Sequence, residues 1–213
     1  MNAPPARVPA RVAWLRFGVT AAWLAMVLLG LGHLLDYATT PGDPGDPSPV
    51  WPSGASIAAA ADRPTLVMAL HPHCPCSRAS LEELARIIYR CRDRVNVQIL
   101  LFAPSAAPAG WTDTGLRSAA TAMPGVNLTL DRDGFEARRF GIRTSGHALL
   151  YDVDGRLAYS GGITSARGHA GDNAGQDAVV ALIEHRLPRR DRQFVFGCSL
   201  LDGGFAREAA WNP

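Results

Sequence analysis

Lysine is missing from this chain altogether: all 21 of its basic residues are arginine, in a length of 213. Without a lysine amine there is no Schiff-base nucleophile and no phosphate-loop lysine, so both of those chemistries are excluded. Charge is scarce too, at 19% of residues, and 21 basic against 19 acidic side chains leave a formal balance of +2. A chain so near neutrality has little electrostatic means of gripping a phosphate backbone, and nucleic acid is not an expected partner. No G-x-S-x-G, H-E-x-x-H or G-x-G-x-x-G occurs, which leaves hydrolase and dinucleotide functions without support. What the chain does have is apolar character, 47% of residues. Its length accommodates one core-bearing domain with accessory pieces.

From Phe17 to Leu35 the sequence FGVTAAWLAMVLLGLGHLL carries no formal charge. At about 1.5 Å per residue such a helix nearly matches a hydrocarbon core of about 30 Å. Arg7, Arg11 and Arg16 precede it and Asp36, Asp43 and Asp46 follow. The positive-inside tendency therefore puts residues 1–16 in the cytosol, residues 17–35 across the membrane and the rest outside the cytoplasm. A cleaved secretory signal would begin similarly and also export the domain. The long apolar stretch, with no A-x-A-like site after Leu35, favours an uncleaved anchor. A buried soluble helix would leave the arginine asymmetry to chance. Residues 36–54 include five prolines, at 41, 44, 47, 49 and 52, and read as a semi-extended linker holding the remainder away from the bilayer.

Residues 55–187 have the pattern of an α/β domain. TLVMAL after Pro64 is a short apolar run that predicts a buried strand. From Ser77 to Cys91, Leu81, Leu84, Ile87, Ile88 and Cys91 recur at three- and four-residue spacing, with Glu82, Glu83, Arg86 and Arg90 on other faces, which predicts an amphipathic helix. VNVQILLF, residues 95–102, is a second strand, so the unit is a parallel crossover. A weaker helix over 113–123, a strand over 126–130 and a helical turn over 135–140 follow. HALLYDVDGRLAYSGG then predicts an antiparallel hairpin turning at Asp154-Gly155. A last helix over 176–187 places Val179, Leu182, Ile183 and Leu187 on one face, and the tail 188–213 reads as irregular. The expected domain has a mixed sheet with helices on both sides.

The chemically pointed segment is HPHCPCSRAS, residues 71–80, between the first strand and its helix. Cys74 falls just before the helix, where unpaired amides and the macrodipole favour a thiolate and should lower its pKa. His71 or His73 could add positive charge, and Pro75 stiffens the link to Cys76. Here the sequence resembles the thioredoxin superfamily, over roughly residues 55–187, and in particular its exported, membrane-tethered branch, including an anchored group labelled RedB. A redox cysteine pair at a helix start and the later segment FGIRTSGHALLYDVDGRLAYSGG, residues 140–162, carry the resemblance. It implies a thioredoxin-like three-layer fold with a mixed central sheet, preceded by one N-terminal transmembrane helix. It also implies a thiol–disulfide oxidoreductase facing the periplasm from the bacterial inner membrane, exchanging with protein thiols or disulfides and requiring no cofactor. Cys74 would be the nucleophile and Cys76 the resolver. This sequence has C-P-C where that family usually has C-x-x-C, and the tighter ring should be easier to reduce. The position of the family's cis-proline falls on Gly146, with His147 next.

Two other functions compete. His71, His73, Cys74 and Cys76, with His147 from a facing loop, offer imidazole and sulfur suited to copper or zinc, as in a metal-delivery protein. A non-catalytic interaction module would use the cysteines only to brace a turn. Cys91, on the apolar face of the helix, reads as a small buried hydrophobe. Cys198 in VFGCSL could pair with Cys91 or stand as a third thiol near Cys74; the preferred pairing is 74 with 76 and 91 with 198. The glycine-rich loop 164–175, with Arg167, His169 and Asp172, is a flexible surface loop or a place of close backbone approach to a ligand. Asp131–Gly134 and Asp152–Gly155 are turns, because their glycines are misplaced for calcium loops. His33 and His185 read as helix-end residues.

Overall fold

A computed structural model of the chain describes residues 10–200; Arg7 with the rest of the segment before Ala10, and the tail beyond Leu200, lie outside the described residues. The chain divides into two compact units, residues 1–39 and residues 40–213.

The first unit contains helix α1, Ala10–Thr39, 30 residues long. It runs past both ends of the predicted 17–35 stretch because no proline interrupts it before Pro41. Its apolar side chains are exposed along its whole length, among them Trp14, Trp23 and Leu29. By length and composition it is a candidate membrane span or signal sequence.

The second unit is built on a five-stranded sheet: β1 (Thr65–Leu70), β2 (Asn96–Ala103), β3 (Val126–Arg132), β4 (His147–Tyr151) and β5 (Leu157–Gly162), in the order β3-β2-β1-β4-β5. β1, β2 and β3 are parallel, whereas β4 runs antiparallel to both β1 and β5. All six residues of the central strand β1 are buried, which explains its unbroken apolar run in place of alternation. Its side chains divide between two cores. Leu66, Met68 and Leu70 face helices α2 (Pro75–Cys91) and α5 (Ala174–Ile183). Val67 and Ala69 face the short helix α4 (Phe135–Arg139), the buried Phe140 and Tyr151. Helix α3 (Gly115–Thr121) buries Ala120 in the first core.

Two local expectations change. The last helix stops at Ile183, and His185 takes a left-handed φ of 55°, so Leu187 leaves the apolar face and is 97% exposed. Residues 40–54 are extended as their prolines dictate, but they are not a free linker: they lie along the domain as a strap. Gly42 N–H donates to Val195 O (2.8 Å), Asp46 N–H to Gly141 O (3.0 Å) and Trp51 N–H to Gly155 O (2.7 Å). Tyr151 Oη donates to Ser48 O (3.0 Å), and the Trp51 ring packs edge-on against Phe140 and Tyr151. Gly45 and Gly141, both at positive φ, allow this approach; a Cβ on either would meet the other segment's backbone at about 2 Å.

Candidate functional site

β1 delivers the chain to His71, and α2 begins four residues later, so the cysteine turn sits at the edge between strand and helix. Cys74 is the N-cap of α2, in extended conformation (φ −79°, ψ 119°), and Pro75 supplies the first helical position without needing an N–H partner. The turn is fastened underneath by hydroxyls. Ser145 Oγ accepts from His71 N–H (2.9 Å), Ser77 Oγ donates to His71 O (2.9 Å), and the two hydroxyls lie 2.8 Å apart. Ser77 and Ser145 are both fully covered. Neither was singled out by the sequence, since a serine acquires this role only through a neighbour about 70 residues away.

Cys74 Sγ lies 2.9 Å from Cys198 Sγ, closer than an unbonded sulfur contact and longer than a disulfide bond of about 2.05 Å. The Cys198 thiol, as donor, does most to draw Cys74 down from the ordinary 9 to about 5; burial opposes this, and the backbone amides of Cys198, Cys76 and Ser77 add to it. The same hydrogen bond pushes Cys198 far up, with burial and the Cys74 charge adding to the effect. Cys76 is raised as well, first by burial and then by the Cys74 charge. The site at neutral pH therefore holds one thiolate, Cys74, with protonated thiols beside it.

The preferred pairing of Cys91 with Cys198 is overturned. Cys91 ends α2 and is fully buried in the helix-side core, a full helix length from the turn where Cys198 lies. Cys91 is the small buried hydrophobe its position suggested, and burial raises its pKa. Cys198 is brought to Cys74 by the tail, which is irregular but docked. Ser145 N–H donates to Cys198 O (2.8 Å), Leu200 N–H donates to Arg143 O (2.8 Å), and Thr144 and Ser199 form an antiparallel bridge. Val195 and Leu200 are buried on either side of Cys198.

The glycine-rich loop also reaches the site. Arg167 donates through Nη1 to Gly197 O, and its positive charge acts to lower both Cys76 and Cys198. The Gly168 amide hydrogen-bonds to Cys76. Glu83, expected on a polar outer face, is instead fully buried; it accepts from Gly171 N–H (2.7 Å) and pairs with Arg86 (3.1 Å), fixing the loop over α2. His169 and Asp172 stay exposed.

The proposed metal ligands are not gathered. Among the described residues no group of three or more His, Cys, Asp and Glu side chains is placed to hold an ion. His71 Nδ1 accepts from His73 N–H (3.2 Å), while His73 Nε2 donates to Trp111 O (2.9 Å) and its ring packs on Trp111. His147 is fully buried on β4, sharing a 3.0 Å hydrogen bond with Ser160 Oγ, and burial pushes it down to about 4. Gly146 lies just before it at φ 85° and donates to Ala69 O (2.8 Å). A Cβ there would come within 2.6 Å of Ser80 Oγ, so glycine is required by both conformation and space. This donor set does not fit a bound metal as it stands.

No family model matches the chain, and no curated protein matches it. Solved structures do. A hypothetical protein from Sinorhizobium meliloti matches 73% of this chain and 95% of its own, at 17% identity and a TM-score of 0.57. An uncharacterized conserved protein from Geobacillus kaustophilus matches 82% of this chain and 94% of its own, at 18% identity and a TM-score of 0.55. A looser likeness, TM-score 0.42 at 16% identity, covers 58% of this chain and 82% of a secreted Mycobacterium tuberculosis disulfide oxidoreductase homologous to E. coli DsbE. The first two likenesses speak to fold alone. The domain has the mixed five-stranded sheet with helices on both sides that the sequence led one to expect.

Proposed function

We propose that this protein is a thiol–disulfide oxidoreductase, held at the bacterial inner membrane by α1 with its domain in the periplasm, and that Cys74 is its nucleophile. The observation that carries the proposal is the Cys74 sulfur, at the start of α2, drawn to about 5 by hydrogen-bond donors aimed at it. A thiolate at neutral pH is what disulfide exchange needs. The anchored setting and the RedB-like likeness come from the arginine and aspartate asymmetry around the apolar helix and from the cysteine turn. Partners are protein thiols or disulfides.

In the reducing direction Cys74 thiolate attacks one sulfur of a partner disulfide. The new bond joins Cys74 to that sulfur, and the other partner sulfur leaves as thiolate. A second thiol of this chain then attacks Cys74, forming an internal disulfide and releasing the first partner sulfur as a thiol. Two electrons have passed to the partner. Cys76 is the resolver that the C-P-C spacing nominates.

Exchange with glutathione disulfide, followed in the detergent-solubilised full chain by mass spectrometry, tests the proposal. Adduct or internal disulfide should form through Cys74 and vanish in Cys74→Ser. A Cys74 that stays unmodified would count decisively against it. Stoichiometric copper or zinc, lost in a His73→Ala, Cys74→Ser double variant, would install the metal function instead. A partner still captured after all the site thiols are replaced would install the interaction module.

A further inference from the structure

We infer that the disulfide partner of Cys74 is Cys198, and that the tail strand carrying it occupies the seat where an incoming cysteine-bearing peptide must lie. This rests on Cys74 being the reactive thiolate, as proposed above, and reassigns the second thiol.

The tail does not merely pass nearby. From Val195 to Leu200 it is anchored by buried side chains at both ends, and between them it pairs antiparallel with residues 143–145 through two backbone hydrogen bonds and the 144–199 bridge. This is strand addition to an open backbone edge, and the edge lies beside the reactive sulfur. Gly197 makes the fit possible, because a Cβ there would stand 1.9 Å from Ser145 O. The result is a 2.9 Å contact between sulfurs 124 residues apart.

The two candidate resolvers differ in what keeps them protonated. For Cys198 the largest cause is its hydrogen bond to the Cys74 thiolate, which disappears once Cys74 is bound in a mixed disulfide. For Cys76 the largest cause is burial, and only the lesser contributions of the Cys74 charge and hydrogen bond are lost in that step. Forming the mixed disulfide thus removes the largest restraint on Cys198 but not the largest on Cys76. The step balances: Cys198 thiol and a Cys74 mixed disulfide give the Cys74–Cys198 disulfide and the partner thiol, the proton passing from Cys198 to the departing sulfur. Since Cys74 is only 5% exposed with the tail seated, a partner reaches it by displacing the tail, and the returning tail displaces the partner. The edge at residues 143–145 therefore favours extended peptides that bring a cysteine or disulfide to the same register.

The full chain in detergent is treated with glutathione disulfide, quenched with acid, and its adducts and disulfides are mapped by mass spectrometry. Wild type and Cys76→Ser should both yield a Cys74–Cys198 disulfide without lasting adduct. Cys198→Ser should retain glutathione on Cys74, as should Gly197→Val, which keeps every sulfur but cannot seat the tail. An adduct that persists in Cys76→Ser and resolves in Cys198→Ser would overturn the assignment while leaving Cys74 as nucleophile. Absence of reaction at Cys74 in every variant would instead defeat the oxidoreductase function itself. Circular dichroism on Gly197→Val separates an unseated tail from an unfolded domain; if that variant unfolds, the Cys76→Ser and Cys198→Ser pair decides.

Discussion

Cys74 is made acidic by hydrogen-bond donors rather than by neighbouring cations: the Cys198 thiol and three backbone amides converge on it, while His73, one of the expected sources of positive charge, is engaged with Trp111. The alkylation rate of Cys74 by iodoacetamide should therefore rise through a midpoint near pH 5 and be flat above about pH 7, with the midpoint moving upward by a unit or more in Cys198→Ala, which loses the first of those donors. A midpoint near 9 in the wild type would show that the donors do not act as described. His147 poses a separate question of stability. Its value when folded is about 4 against an ordinary 6.5, because burial penalises the charged ring. Between pH 6.5 and 4 the unfolded chain binds a proton that the folded chain refuses. Stability fully present above pH 6.5 is accordingly lost as pH falls toward 4, by up to about 3 kcal/mol from this residue. Urea unfolding at pH 7.5 and 4.5 should show a smaller difference in His147→Gln than in the wild type. The hydroxyl pair offers a sharper local test. Ser145→Ala leaves the buried His71 N–H without its acceptor and should cost about 1–3 kcal/mol, read from the same urea curves.

Among the elements, those whose cues are local were legible in the sequence and those held from a distance were not. β1 shows as an apolar run bounded by turn residues, α2 as a helical stripe, and the β4–β5 hairpin as two strands joined at Asp154-Gly155, where Gly155 indeed takes φ 73°. Each depends on a few consecutive side chains. The strap 40–54 gave the opposite lesson: its prolines specify extended backbone, which suits a free spacer and a docked segment equally well. What decides is that Phe140 and Tyr151 offer a surface for Trp51, and that Gly45 and Gly141 let two backbones touch. Trp51→Ala should thus destabilise the domain by about 2–3 kcal/mol, toward the lower end for a large aromatic because the ring is only partly buried. Thermal unfolding of the full chain measures it, and a change within about 0.5 kcal/mol would mean the strap contributes nothing to the fold.

At the scale of the molecule the chain consists of an apolar helix and a separate domain that includes the strap. A version beginning at Thr40 should fold, stay in the soluble fraction and exchange with glutathione disulfide at the wild-type rate, whereas the full chain should partition with membranes; a Thr40 version that sediments or cannot exchange would show that the helix does more than anchor. The amino-acid order alone determined the apolar helix with its flanking charges, the succession of strands and helices, and a cysteine at a helix start, because each is written in residues adjacent along the chain. It singled out Cys198 as well, but preferred to pair it with Cys91. Which sulfur Cys198 meets, whether Glu83 points outward or inward, and what the glycine loop covers were decided only by tertiary structure. These depend on contacts between segments 88 and 124 residues apart, and such contacts form when the whole core closes, leaving no local pattern by which to read them beforehand.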